Sequence, residues 1–476
     1  MIEKKKLGIY FLIFISLIFS LSLSIYFINL YDKYNLNGIT HIMLKEETAY
    51  HWISAAKIIE QIKLGVPFYI AGEEVFTKPL HQRLIAVYSY LTNFPIIENW
   101  KLYRIALGGK LSFLFIQSFL YYGLVFYLCK QISKIFSPNV VFFIIAFLCI
   151  EPTIFQYHSS FWTESIYFSI QLLILILMLG EEKNKNFIII GFMLGILFLQ
   201  RTAGIFYVIF VIIFFFFTLK KNKYIKIFLL ILSYLTICLG LGLHNFKRAG
   251  AFYIIPTEVK YGVYKYFSID VLANAKKTSV KRVNEIETEK SLLWVKENLT
   301  NIDYLKRYSE PYEIALNIKD EKDKYEFYNY LNKRAYEILL ENPLITIKSI
   351  IIKLFHFSVL DPFFIYYDNE YYKNYSSAYI GDFVFSNEAK ALIPIRILYS
   401  TIIYIFVFFG MISCFKENSK IFFLILGSIL YNYVISGWYG KTRLYAPILI
   451  YLSFFFGFGI NYFITYLKKI YTKKTI

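Results

Sequence analysis

Lys45-Glu46-Glu47-Thr48-Ala49-Tyr50-His51-Trp52 follows the first long apolar run of the chain, about residues 8–30. Whether these residues stand at the mouth of a membrane or on a soluble domain decides the fold. About 20 apolar residues cross the ~30 Å of hydrocarbon in a bilayer, so the preceding run reads as a span. From Lys45 to about Trp100 the chain is polar enough to lie outside the bilayer. After Trp52 the apolar positions recur at Ala55 or Ala56, Ile59 and Ile62, which predicts an amphipathic helix on the membrane surface. Glu46 and Glu47 then fall in its first turn, where carboxylates complement the helix dipole. They are also candidates for acid–base chemistry, and the choice depends on which side of the membrane the other polar residues take.

The composition sets the class. Of 476 residues 57% are hydrophobic and 21% aromatic, with a mean hydropathy of +0.50. A soluble protein cannot hide that much apolar surface, so the chain reads as an all-α polytopic membrane protein. Its 49 Phe and 44 Tyr suit lipid-facing helices and interfacial belts. The formal charge of +18 comes from lysines clustered at the ends of apolar spans, which marks topology and membrane lipids as partners, not nucleic acid. Cys129, Cys149, Cys238 and Cys414 all lie in apolar runs without a Cys-x-x-Cys pattern, so neither disulfides nor a Cys-based metal site is expected. The basic start and apolar run of Met1 to Leu30 read as a retained first span, since the run is long for a signal peptide.

About ten spans are expected, at about 8–30, 110–129, 139–157, 164–180, 187–200, 203–219, 227–243, 391–414, 421–437 and 444–466. One set of connections holds Lys4 to Lys6, Lys130, Lys134, Lys183, Lys185, Lys220 to Lys226, Lys416, Lys420 and the C-terminal lysines. The short connections opposite hold Arg201, Lys441 and Arg443, so both termini are expected in the cytoplasm. The chain then divides into a membrane domain, 1–243, with an outer first loop at 31–109; an extracytoplasmic mixed domain, 244–390, between the seventh and eighth spans; and C-terminal spans in 391–476. Within 244–390 a helix is expected at about Glu326 to Glu341, stopped by Asn342-Pro343. An interfacial helix is expected at 344–360, with Ser349, Lys353 and His356 on one face.

Lys110, Glu151, Glu164, Arg201, Arg396 and Arg443 all fall near the outer boundary of this topology, and few charges sit at the midplane. Transporters place their charges at the midplane. Lys110 and Arg396 are long enough to snorkel to the interface. Glu151 and Glu164 are not, which makes them functional candidates. A carboxylate can deprotonate a hydroxyl, and basic groups can hold a leaving phosphate. Transfer of a group from a lipid phosphate is the chemistry these residue types suggest.

Several stretches resemble the GT-C membrane glycosyltransferases of the protein O-mannosyltransferase and lipid A aminoarabinose transferase type. Glu46-Glu47-x-x-Tyr50 is similar to the family's first-loop Asp-Glu-x-x-Tyr, with Glu in place of the leading Asp. Thr77-Lys78-Pro79-Leu80 is similar to its Lys-Pro-Pro-Leu, lacking the second proline. Glu151-Pro152 with Ser160 to Glu164, and Leu199-Gln200-Arg201-Thr202 at the end of a Gly-containing span, resemble further family stretches. So do His244 to Gly250, Glu341-Asn342-Pro343 and Arg443-Leu444-Tyr445-x-Pro447. The resemblance runs in order from about residue 8 to 466.

It implies an inverting glycosyltransferase with a polyprenyl-phosphate-linked sugar as donor and a lipid, glycan or protein hydroxyl as acceptor. Glu46 or Glu47 would be the general base. Lys78, Arg201 and Arg443 would hold the departing phosphate, and Tyr50 and Glu164 would orient donor or acceptor. No cofactor is implied, and the expected location is the inner membrane with the site on its outer face. A lipid-linked oligosaccharide ligase or polymerase, and a non-enzymatic glycolipid exporter or flippase, are the alternatives. The first would not need the carboxylate-rich first loop. The second usually needs midplane polar sites or repeats.

Overall fold

The computed structural model describes residues 2–34, 47–67, 71, 79–93, 97–99, 104–105, 107–158, 163–299, 308, 310–318, 320–358, 387–437 and 445–474. In chain order the first elements are α1 (Ile2–Tyr34), α2 (Glu47–Lys63) and α3 (Pro79–Thr92). A two-stranded antiparallel ribbon follows, β1 (Ile97–Asn99) and β2 (Arg104–Ile105), with Ile97 opposite Ile105. Then come α4 (Leu107–Ile132), α5 (Pro138–Ile150), α6 (Pro152–His158), α7 (Glu164–Leu179), α8 (Asn184–Gln200), α9 (Tyr207–Thr218) and α10 (Lys223–Ala249). A helical insert comprises α11 (Thr257–Val263), α12 (Ile269–Ala275), α13 (Val280–Asn298), α14 (Pro311–Asn317), α15 (Glu321–Glu341) and α16 (Pro343–Ser358). The chain closes with α17 (Asn387–Glu417), α18 (Ser419–Gly437) and α19 (Ala446–Lys474).

Among the described residues six helices are long and apolar enough to cross a membrane, within α1, α4, α10, α17, α18 and α19. Their outward faces are as apolar as their inward ones: Phe11 is 62% exposed and Phe217, on the shorter α9, 80%. Such surfaces are stable only in lipid, so this is a polytopic membrane protein. Four shorter apolar helices, Pro138–Ile150, Glu164–Leu179, Asn184–Gln200 and Thr202–Thr218, occupy the other expected positions. At ~1.5 Å per residue each falls short of ~30 Å.

The reason for one short helix is chemical. The single span expected at 139–157 is two helices, α5 and α6, broken at Glu151-Pro152. Proline disfavours the helical region for the residue before it, and Glu151 is extended at φ −61, ψ 119. Pro152 then starts α6, where its missing N–H costs nothing.

Close packing holds the bundle together. α17 and α19 touch backbone to backbone, because a Cβ on Gly410 would meet Phe455 O at 1.6 Å and one on Gly459 would meet Phe406 O at 1.9 Å. Small residues permit such approach between apolar helices, where no water remains to drive association. Ala55, Ala56 and Ile58 of α2, and Ile85 and Ala86 of α3, belong to the same buried core as the long helices. The amphipathic helix expected after Trp52 therefore exists, and its apolar face packs on the bundle.

The two ends of the bundle differ. At one, Glu182 meets Lys226 at 3.5 Å and Lys420 at 3.3 Å, gathering the connections that lysine counting had grouped. At the other lie Glu151, Glu164 and Arg201.

The insert has a core of its own, including Tyr264, Val283, Val295, Phe327, Leu331 and Ile338. Its described elements are all helical, so the mixed composition expected for 244–390 is not found among the described residues. The helix expected from Glu326 begins earlier, at Glu321, because Asp320 Oδ1 caps it by accepting the N–H groups of Lys322 and Asp323 at 2.8 and 3.0 Å. Arg248, at the end of α10, reaches Glu321 at 3.4 Å and ties the insert to the bundle.

Glu287 is a buried charge of the insert. It accepts from Arg334 Nε and Nη2 at 3.0 and 3.2 Å and from Lys290 Nζ at 2.8 Å. Burial pushes its carboxyl pKa up, but the Arg334 and Lys290 bonds outweigh that and hold it below the ordinary value. Its stabilisation is therefore complete above about pH 4.3, the ordinary Glu pKa, and is lost as pH falls through the lowered folded value. Glu287→Gln should lower neutral-pH stability by ~1.5–3 kcal/mol and flatten the acid limb. Scanning calorimetry from pH 7 to pH 3 checks this; an unchanged acid limb would remove Glu287 as its source.

Candidate functional site

The site is assembled at the N-terminus of α7. Glu164 opens that helix, and Arg201 follows the last residue of α8. Arg201 is held extended at φ −150, and the turn beyond it is tight. A Cβ on Gly204 would meet the backbone of Leu197 and Phe198 at 2.9 Å, so this close approach needs glycine. Arg201 Nη1 lies 2.9 Å from Glu164 Oε1, with both side chains buried. The guanidinium sits over the Tyr167 ring, 5.4 Å from its centroid, and Thr163 Oγ1 donates to Glu164 Oε2 at 3.2 Å.

Gln200 links this pair to the first loop. Its amide nitrogen donates to His81 Nδ1 and to Thr163 O, both at 3.1 Å. His81 is fully buried in the first turn of α3 and meets the Phe113 ring edge-on at 6.2 Å. Accepting at Nδ1 places the ring proton on Nε2. Arg83, on the same helix, donates to Ala71 O at 3.2 Å. Burial, and then Arg248, pushes its pKa down to about 10. Arg83 and Arg248 interact only if the first loop and the start of the insert share one end of the bundle.

Two further groups complete the polar layer. His158, fully buried, shares a 2.7 Å hydrogen bond between Nδ1 and Ser165 Oγ and lies tilted against the Tyr121 ring, 4.1 Å between centroids. Among the described residues its Nε2, both amide atoms of Gln117, one helical turn before Tyr121, and Gln200 Oε1 have no hydrogen-bond partner. Buried polar atoms are nearly always paired, so this layer has bonding capacity left for hydroxyl groups or water. Among the described residues no group of three or more His, Cys, Asp or Glu converges as a metal site would.

Glu151, a functional candidate by its position, is held by hydrogen bonds inside the bundle. Its Oε2 accepts the Ile154 N–H at 3.0 Å, and its Oε1 accepts Thr153 Oγ1 at 2.8 Å and Tyr399 OH at 3.0 Å. It caps α6 and ties it to α17. Arg396, read as snorkelling to the interface, is buried at 5% exposure.

Of the candidate residues, Glu46, Lys78 and Arg443 lie outside the described residues. Glu47 begins α2 and Tyr50 lies in its first turn, with their side chains outside the description. Glu164 and Arg201 are brought together, each as the other's partner. His81, Gln117, His158 and Gln200 were missed. The sequence did carry one signal for two of them: His81 stands three positions after Lys78, and Gln200 directly before Arg201. No protein-family model matches the chain, and no curated protein matches it in sequence.

Proposed function

We propose that the chain is an inverting GT-C-type glycosyltransferase of about ten spans, acting at the outer face of the inner membrane. The donor is a sugar on a polyprenyl phosphate, and the acceptor is a hydroxyl of a lipid, glycan or protein. The observation that carries the reading is the hydrogen bond between His81 and Gln200. It draws the start of α3, which directly follows Lys78, to the Glu164–Arg201 pair at the ends of α7 and α8. The start of α3 and Arg201, far apart in sequence, thus belong to one neighbourhood, which supports a shared anionic headgroup as the partner of this end of the bundle.

In this mechanism Glu46 or Glu47 takes the proton of the acceptor hydroxyl as its oxygen attacks the anomeric carbon. The bond to the lipid phosphate breaks on the opposite face, which inverts the configuration. Lys78, Arg201 and Arg443 meet the charge developing on the departing phosphate. Glu164 holds Arg201 in place, and Tyr50 orients donor or acceptor. Gln117, His158 and Gln200 supply the unfilled hydrogen-bonding positions a polyhydroxylated group would use.

Two measurements test the reading. Purified protein in lipid should release polyprenyl phosphate from a polyprenyl-phosphate sugar in the presence of envelope acceptors; no release across a panel of such donors would overturn the activity. Reporter fusions after Lys226 and after Lys469 should read cytoplasmic and those near Asp320 external. A cytoplasmic reading near Asp320 would remove the shared outer face.

A further inference from the structure

α16 leaves one face uncovered. Leu344, Ile347, Ile351 and Phe355 are 81, 55, 61 and 69% exposed and recur every three to four residues, forming one stripe. The opposite face is well satisfied. Lys353 Nζ donates to Asp270 Oδ2 at 2.8 Å and to Tyr266 O, Thr346 Oγ1 donates to Leu339 O at 3.1 Å, and Ser349 is buried. The stripe therefore faces out because the polar face packs on the insert.

The place of this helix is set by the bundle. Tyr433 OH, on α18, donates to Leu354 O at 3.1 Å and bonds Ser358 Oγ. Tyr404 OH, on α17, donates to Ser358 O at 2.7 Å. The C-terminal end of α16 is thus sewn to the last turns of α18, through Tyr433, and to the middle of α17, through Tyr404. Its 16 residues extend about 24 Å, too short to cross a bilayer.

Beside α16 a cavity of about 240 Å³ opens against α12, lined by Asp270, Asn274, Thr278, Val280, Ser349 and Lys353 among others. Asp270 is matched by Lys353. The turn that carries Thr278 also carries Lys276 and Lys277, and the first turn of α13 carries Lys281, all exposed; Lys348 stands exposed beside the stripe. An apolar stripe, a polar cavity and a cationic rim thus occur together.

We propose that α16 and the segment 276–282, the turn before α13 and its first residues, form a docking surface for an anionic phospholipid bilayer. The stripe enters the boundary between headgroups and acyl chains. The lysines meet the lipid phosphates, and the cavity receives a hydroxyl-bearing headgroup through Asn274, Thr278 and Ser349. This surface is independent of the glycosyltransferase reading.

The test uses the full chain in lipid nanodiscs, with a fluorophore on Ile347→Cys, Ile351→Cys or, as a control on the exposed face of α15, Lys322→Cys. The four native cysteines are buried, and the parent protein carried through labelling sets the background. Lipids spin-labelled near the headgroup should quench positions 347 and 351 but not 322. Quenching should be stronger with phosphatidylglycerol than with phosphatidylcholine alone. That difference should vanish in Lys276→Gln/Lys277→Gln/Lys281→Gln, whose exposed positions leave the melting temperature unchanged. Absent quenching at 347 and 351 overturns the proposal, whether the probes are open to aqueous iodide or shielded by a second copy or the chain's own segment 359–386. Equal quenching in the two lipid compositions overturns the anionic preference.

Discussion

Glu46→Gln is expected to cut the rate of sugar transfer by ~10²–10⁴, the usual cost of losing a general base, while Glu47→Gln stays near the parent. The substitution keeps volume and hydrogen bonding but removes the proton acceptor. In the helical first turn that the sequence leads one to expect, neighbouring residues point about 100° apart, so only one of the two would face the anomeric carbon. Glu46 takes the position of the leading carboxylate in the motif it resembles, four residues before Tyr50. Glu47 is the first residue of α2, where a carboxylate meets the helix dipole, one turn before His51. The helix itself is anchored, since Ser54, Ala55, Ala56 and Ile58 are buried. In vitro transfer in matched membranes decides the matter. Full activity in both variants would take the first loop out of the mechanism and favour a ligase. Loss in Glu47→Gln alone would keep the mechanism and move the base by one residue.

Arg201→Met should destabilise the bundle by ~3–5 kcal/mol, because it leaves Glu164 buried without its counter-charge. A single substitution at this position cannot report on donor binding, since it damages the fold as well. The paired variant Glu164→Gln/Arg201→Met removes both charges and should recover most of the lost stability. It should still bind polyprenyl phosphate more weakly than the parent, by the ~1.5–3 kcal/mol that a charge-assisted contact contributes. Thermal unfolding and lipid-binding measurements on the two single variants and the double complete the cycle. A double variant that is stable and binds like the parent would make Arg201 a structural partner of Glu164 and nothing more. A single Arg201→Met variant as stable as the parent would show that water reaches the pair.

Much of the architecture was legible because it rests on local, one-dimensional signals. A run of ~20 apolar residues has few alternatives to a span, and lysines at its ends mark one side. The grouping of Lys183, Lys226 and Lys420 by charge counting agrees with the way Glu181 and Glu182 draw them together in space. The Asn342-Pro343 stop and the amphipathic pattern of α16 were legible for the same reason. The Glu151-Pro152 break had a signal too, in a proline whose effect on its predecessor is steric and local. The role of Glu151 had none, because its partner Tyr399 lies 248 residues away.

The sequence by itself determined that this chain lives in a membrane, where its helices run, and which residue types could do chemistry at one end. Those follow from hydropathy and charge, summed along a short window. Only the tertiary structure decided that Arg201 faces Glu164, that Gln200 reaches His81 across 119 residues, and that the polar face of α16 packs inward. Such pairings depend on the rotation and depth of one helix against another. Side-chain packing sets both through contacts distributed over the whole bundle, so no short stretch of sequence encodes them.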